Sequence, residues 1–360
     1  MSACRRIVAV LGCAAALAAP LPAQEQNFPA TRNAIAGRVT DPSGAPAAGV
    51  LVTLVVREQR AGTIVFHPAD VRARFMTDEN GRYRIDAVSP GEYLVVAIPR
   101  NNGLDAAGKP NRSGVRNTYH PSALTAAAAK PVVVNVREPQ VADITLQPAR
   151  LAVITGTVFT SSGRPANGGQ LRIALGEGLF GVGGSAVALM PGGRFAIAGV
   201  APGTYFLRYS EGPWPPPPGE EAPLISGVTV TIREGDAMNI RVMPIRMVQA
   251  TGRVVIDPKL RGQFDPASVT VGASPLNFEG NPGPQRPGRL RDDLTFEFRT
   301  WPAQGIVRVS PEHGIWTVKA VRYNGADVTR TGIDFRQGET IALDGQGGAL
   351  QRRRCDAHRD

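Results

Sequence analysis

The chain has 360 residues, more than one ordinary domain holds and enough for two or three. A hydrophobic fraction of 42% argues against wholesale disorder, and 41 glycines with 31 prolines favour short strands and tight turns over a helical enzyme. The formal charge is +10, but Arg5 and Arg6 sit at the start, Arg352, Arg353, Arg354 and Arg359 at the end, and acids nearly match the cations between. No clustered basic face emerges, so nucleic acid is not an expected partner.

Residues 1–23 read as an export signal. Arg5-Arg6 precede the apolar run 7–19, and Pro20, Pro22 and Ala23 follow before polar Gln24-Glu25-Gln26. The apolar run is shorter than the ~20 residues of a membrane span. Cleavage is expected after Ala23, with Ala18 as the alternative. A lipoprotein box at Cys13 fits less well, because Leu11 stands where a small residue is usual, and a bare arginine pair is a thin twin-arginine signal. Residues 24–34 form a linker. No later stretch approaches the ~18 apolar residues of a spanning helix, so no integral membrane span is expected after cleavage. Cys4 and Cys13 leave with the leader, and Cys355 lies near the end. The body therefore carries no disulfide framework and no thiolate site. The expected location is the periplasm, the outer surface or the extracellular space.

From Ile35 onward the chain repeats itself. Ile35-Ala-Gly37-Arg-Val39-Thr-Asp41-Pro42-Ser43-Gly44 is an alternating strand and a turn. Ile154-Thr-Gly156-Thr-Val158 with Gly163 repeats it, and Ala250-Thr-Gly252-Arg-Val254 opens a third unit. A hairpin follows each of the first two: Asp78-Glu79-Asn80-Gly81-Arg82-Tyr83-Arg84-Ile85, then Gly192-Gly193-Arg194-Phe195-Ala196-Ile197. Tyr83, Ile85 and Ala87 are expected on one face. Ser89-Pro90-Gly91-Glu92-Tyr93 and Ala201-Pro202-Gly203-Thr204-Tyr205 then turn the chain into apolar strands. The run Leu94–Ile98 fits a strand covered on both sides.

These motifs resemble the carboxypeptidase regulatory-like domain, a transthyretin-like β-sandwich also grouped with carbohydrate-binding-like folds. The first unit carries the Ile-x-Gly-x-Val-x-Asp opening, the Asp-x-x-Gly-x-Tyr hairpin and the Pro-Gly-x-Tyr strand. The second lacks the Asp-led hairpin, and the third diverges most, keeping Gly314–Val321 and Asn324–Thr329. The resemblance implies an all-β chain of three tandem Greek-key sandwiches of about seven strands each, the third one incomplete. The expected units are 35–149, 150–246 and 247–344, with short linkers near Ala149-Arg150 and Arg246-Met247.

Other segments fit that frame. Residues 100–116 read as an exposed loop, 213–223 as a polyproline projection, and 275–291 as a Pro-, Gly- and Arg-rich loop. Residues 345–360 lack strand alternation and read as an irregular basic tail. A frame change or truncation that removed a last strand accounts for it and leaves an open edge on the third unit; a genuine basic tail is the alternative.

The search for chemistry returns little. His67, His120, His313 and His358 show no partner at metal spacing, and the zinc signature of carboxypeptidase catalysis is absent. The C-terminal Tyr-Arg-Gly-Ser motif of a transthyretin-like hydrolase is also missing. Gly178–Gly184 reads as a loop rather than a phosphate cradle, and Asp78-Glu79-Asn80 as hairpin chemistry rather than a calcium site. No cofactor, no metal and no catalysis are expected. Aromatic residues supply the candidate ligand site: Trp214 among prolines, joined by Tyr209 and Tyr119 if the fold brings them close. The expected role is a non-catalytic binding or spacer module at the bacterial cell envelope, with carbohydrate as first ligand through the family resemblance. The alternative is an assembly module that meets a protein partner through an exposed strand edge.

Overall fold

The computed structural model describes residues 33–60, 63–69, 74–135, 138–176, 179, 184–212, 225–256, 265–276, 287–311, 316–336, 338–343 and 349–352. The chain is all-β. Among the described residues the only helical pieces are short 3-10 turns such as Ala126–Ala128. Strand pairing falls into three groups, between Ile35 and Arg150, between Ala152 and Pro244, and between Val248 and Arg352.

One local arrangement recurs in all three groups. An opening strand (Ile35–Thr40, Ala152–Val158, Val248–Arg253) pairs antiparallel with a hairpin strand (Arg82–Ile85, Arg194–Val200, Thr295–Thr300). On its other side it pairs parallel with a late return strand, at Gln140–Val141 and Ile144–Thr145, at Ala237–Pro244, and at Thr340–Leu343. A glycine of each opening strand faces an aromatic residue of the hairpin: Gly37 opposite Tyr83, Gly156 opposite Phe195, Gly252 opposite Phe296. A Cβ on Gly156 would lie 2.7 Å from the Phe195 ring and collide with the Ile240 carbonyl. A Cβ on Gly37 would collide with the Ala142 carbonyl, and one on Gly252 would lie 2.7 Å from the Phe296 ring. The glycine is therefore required for closeness, because ring and return strand occupy the space a side chain would fill.

The turns follow their residue chemistry. Asp41 Oδ1 accepts from the Ser43 and Ala45 amides, at 2.8 and 2.9 Å, and the Ser43 hydroxyl holds it below the ordinary aspartate range. Asp78 Oδ1 accepts from the Asn80 and Arg82 amides at 2.9 and 2.7 Å, as the hairpin reading expects. The tyrosine of each Pro-Gly-x-Tyr motif donates its hydroxyl to the carbonyl four residues back, Tyr93 to Ser89 and Tyr205 to Ala201, both at 2.9 Å.

Packing distinguishes the groups. In the first, Ile35, Val39, Tyr83, Ile85 and Ile144 face Val52, Leu54, Val95 and Ala97 across one core. Within the strand Gly91–Ile98 the run Leu94–Ile98 is buried on both faces, as its apolar character predicts. Its other face, Leu94, Val96 and Ile98, joins Tyr119 in a cluster continuous with the Ile154, Phe195, Leu207 and Ile240 core of the second group. The segment Asn102-Gly103 lies against Ala198-Gly199, beside the strand that ends the second sheet. The third group has its own core around Val248, Val271, Phe296, Phe298 and Ile341.

Four expectations need correction. Ser113–Arg116, read as loop, is a strand against Gln147–Arg150, and the Asn101 side chain both accepts from and donates to the Val115 backbone. Gly288–Arg289, also read as loop, pairs with Thr270–Val271, and Leu290 beside it is buried. Ala87 is exposed, with φ 55°, because the chain leaves the sheet after Ile85; Val88 is buried instead. Ala349–Arg352, read as irregular tail, is a strand parallel to Val255–Ile256 and antiparallel to Trp316–Val318. Backbone pairing on two sides does not require alternating side chains.

Three outcomes follow from this packing. Gly156→Ala should lower stability by about 1–3 kcal/mol, since neither the carbonyl nor the ring can withdraw freely; urea unfolding measures it. Ala87→Gly should raise stability by about 0.5–1 kcal/mol, because the left-handed backbone is costly for alanine; Gly199, with φ 74°, stands at the matching place in the second group. Burial, reinforced by the Asp143 charge, raises the Tyr83 hydroxyl above the usual tyrosine range. The unfolded chain ionises first, so this contribution is full below pH ~10 and is lost as pH rises beyond it. Tyr83→Phe keeps the ring but removes the hydrogen bond to the Ala142 carbonyl. It should cost about 1 kcal/mol at neutral pH and flatten the alkaline loss, read by unfolding at pH ~8 and pH ~11.

Candidate functional site

The three aromatic candidates do not form a surface site among the described residues. Trp214 lies outside them. Tyr209 is 2% exposed, packed in the second core, and its hydroxyl donates to the Gly168 carbonyl at 2.9 Å. Burial, and then the Glu211 charge, raises its pKa. Tyr119 is likewise 2% exposed, and its backbone exchanges hydrogen bonds with Ala123 at 2.7 and 2.8 Å. Neither ring can present a face to a sugar, so both are corrected from ligand candidates to core residues. The reason is positional: each occupies an inward-facing strand position, where an aromatic ring fills volume.

The histidines are placed in two cases. His67 Nε2 lies 3.0 Å from Glu58 Oε2, a pairing the sequence spacing does not suggest. It arises because Thr63–Pro68 folds back on Leu51–Arg60, setting His67 opposite Val56 and diagonal to Glu58. His120 Nδ1 donates to the Asp143 carbonyl at 2.6 Å. His313 and His358 lie outside the described residues, as do the three cysteines. Among the described residues no group of three His, Cys, Asp or Glu side chains is placed to hold a metal ion. None of their helices is long and apolar enough to cross a membrane.

The concavity with mixed chemistry lies where the second and third strand groups meet. This cleft, about 890 Å³, is walled by Ser161, Ser162 and Gly163 on one side and by Gln249 and Arg299 on the other. Ile225, Met243 and the 244–247 connection, including Arg246, complete the lining. Each wall is built locally. The Ser161–Gly163 turn ends the second opening strand; the Gly163 amide donates to the Thr160 carbonyl at 2.8 Å, and Ser161 N donates to Glu211 at 2.8 Å. Gln249 and Arg299 are cross-strand partners, and Gln249 Nε2 donates to Glu297 at 2.8 Å. Arg246 and Arg299 are exposed, on the connection and on the third group respectively. No single motif announces this site, since its residues span 161 to 299. The only signals were the short linker and the Ser-Ser-Gly turn. The lining combines guanidinium, hydroxyl and amide groups with apolar side chains. Such a mix suits binding, and among the described residues the lining holds no paired acid and base for proton transfer.

No curated protein matches the chain by sequence. Solved structures that resemble it do so loosely. The Bacillus anthracis TIE protein aligns at 12% identity over 88% of this chain and 50% of its own, with a TM-score of 0.20. The minor pilin GBS52 of Streptococcus agalactiae aligns at 12% identity over 59% of this chain and 94% of its own, with a TM-score of 0.25. A DUF3823 family protein from Bacteroides uniformis aligns at 14% identity over 56% and 99%, with a TM-score of 0.19. The chain thus takes in half the length of the first of these. The family comparison is sharper: residues 34–147, nearly the whole first strand group, match the carboxypeptidase regulatory-like domain.

Proposed function

We propose that the chain is an exported, non-catalytic binding or spacer module of the bacterial cell envelope, with carbohydrate as its ligand. The cleft between the second and third strand groups carries this reading. Its volume is that of a small-molecule site, ~300–1,000 Å³, and its walls mix hydrogen-bonding groups with apolar surface. On this reading the three strand groups are tandem copies of one regulatory-like sandwich. The repeated glycine, facing aromatic and parallel return strand support that, although the family model reaches only the first group. The apolar cluster shared by the first two groups supports a spacer role.

A second reading has one favouring observation. Thr340–Leu343 stands at the end of its three-stranded sheet, pairing with Val248–Arg253 on one side. A protein partner that adds a strand there would use that edge.

A glycan array and polysaccharide pull-down with residues 24–360 should show binding. Trp214→Ala, run beside it, reports whether that tryptophan contributes. Silence of both chains across neutral and acidic glycans would overturn the carbohydrate reading. Cross-linking in intact cells would then identify the protein partner.

A further inference from the structure

Resting on the carbohydrate reading, we infer that the solvent-facing side of the second sheet binds an acidic polysaccharide, with Arg194 and Arg241 on its carboxylates and Thr157 and Asn239 on its hydroxyls. Strand register builds this row. Thr157 on the opening strand stands opposite Arg194 on one side and opposite Arg241 on the other. All three share one face, and the two arginine backbones are two strand spacings apart, ~10 Å. Thr155 opposite Asn239 forms the next row. Arg194, Arg241, Thr155 and Asn239 are exposed, so the face is open to solvent.

Both arginines have a neighbour, and each neighbour is neutral. Arg241 lies 4.8 Å over the Phe159 ring, and Arg194 Nε donates to the Pro191 carbonyl at 3.4 Å. These contacts orient the side chains, leave their charges uncompensated and leave terminal N–H groups for a ligand. Among the described residues neither arginine pairs with a carboxylate. Residues 153–159, 194–198 and 237–243 include no acid. The acids that flank them are bonded to backbone: Glu211 accepts from the Ser161 amide and Asp236 from the Arg233 amide, both at 2.8 Å. The other groups differ. The same face of the first sets Asp143 beside Arg38, whose amide donates to Asp143 Oδ1 at 2.8 Å, and that of the third carries Glu297 opposite Thr251.

The ligand class follows from these groups. A guanidinium meets a carboxylate with two parallel hydrogen bonds, which a neutral sugar cannot supply. The Thr157 and Asn239 side chains make no hydrogen bond among the described residues, so a hydroxyl and an amide stand ready for sugar hydroxyls. Met243, two residues beyond Arg241 on the same face, also lines the junction cleft, so a polymer seated in the cleft continues onto this row. An acidic peptide fits less well. The opening strand is paired on both sides, so the face offers no free ladder for strand addition.

The test uses residues 24–360 at ~150 mM salt, where long-range attraction is screened. The probes are polygalacturonate, its methyl ester, dextran and polyglutamate, with affinity read by calorimetry. Wild type should bind polygalacturonate at least about tenfold more tightly than its ester. The pair Arg194→Gln with Arg241→Gln should lose about tenfold or more on the acid form and little on the ester. The pair Arg57→Gln with Arg82→Gln, exposed residues of the first group that remove the same charge, should bind like wild type. Thermal melts confirm that every variant is folded. Equal binding of ester and acid, unchanged by the Arg194 and Arg241 pair, would overturn this inference and leave the carbohydrate reading standing. A preference for the acid form that survives that pair would overturn the assignment to this face. Equal loss in both arginine pairs would overturn it as diffuse charge attraction. Polyglutamate bound as tightly as polygalacturonate would overturn it in favour of acidic peptides. No binding to any glycan would overturn both readings.

Discussion

A missing side chain organises this protein. In each strand group one glycine of the opening strand lets an aromatic ring from the hairpin strand lie against bare backbone, while a return strand closes in parallel from the other side. The contact joins residues far apart in sequence, Gly156 with Ile240 and Gly252 with Leu343. Parallel pairing of chain segments so distant is entropically costly to close, and close packing of the glycine, ring and carbonyl offsets that cost. The identity of the aromatic is secondary: tyrosine serves in the first group and phenylalanine in the other two.

The groups are joined in two different ways. Between the first and second, apolar surface is continuous. Leu94, Val96 and Ile98 turn their outer face toward a cluster that includes the second core, and Arg116 lies 3.9 Å from Glu234 in addition. At 3.9 Å, with Glu234 half-exposed, that ion pair contributes little, so the apolar cluster is the stabilising element. Between the second and third, the cores are separate, and a cleft of mixed polar and apolar lining lies where they meet.

Local chemistry was legible and long-range placement was not. Asp41-Pro42-Ser43-Gly44, Asp78-Glu79-Asn80-Gly81 and Gly192-Gly193 read as turns because aspartate accepts from nearby amides and glycine adopts positive φ. The double burial of Leu94–Ile98 was legible because the run lacks polar residues. Tyr119 and Tyr209 were misread because composition tells that a ring is amphipathic, not which side of the sheet it faces. Ser113–Arg116 was misread as loop because its partners, the strand Gln147–Arg150 and the Asn101 side chain, lie outside the segment itself. The pairing of His67 with Glu58 needed the register of two strands.

The sequence by itself determined most of the opening, hairpin and apolar strands and the turns between them, since each depends on residues within a few positions of one another. It also carried the regulatory-like pattern of residues 34–147. The tertiary structure alone decided which apolar faces are covered, which tyrosines are buried and that Ser161, Ile225, Arg246 and Arg299 share one cleft. The physical reason is separation along the chain: side chains from distant strands meet only through sheet register and sheet packing, and neither is written in any single segment.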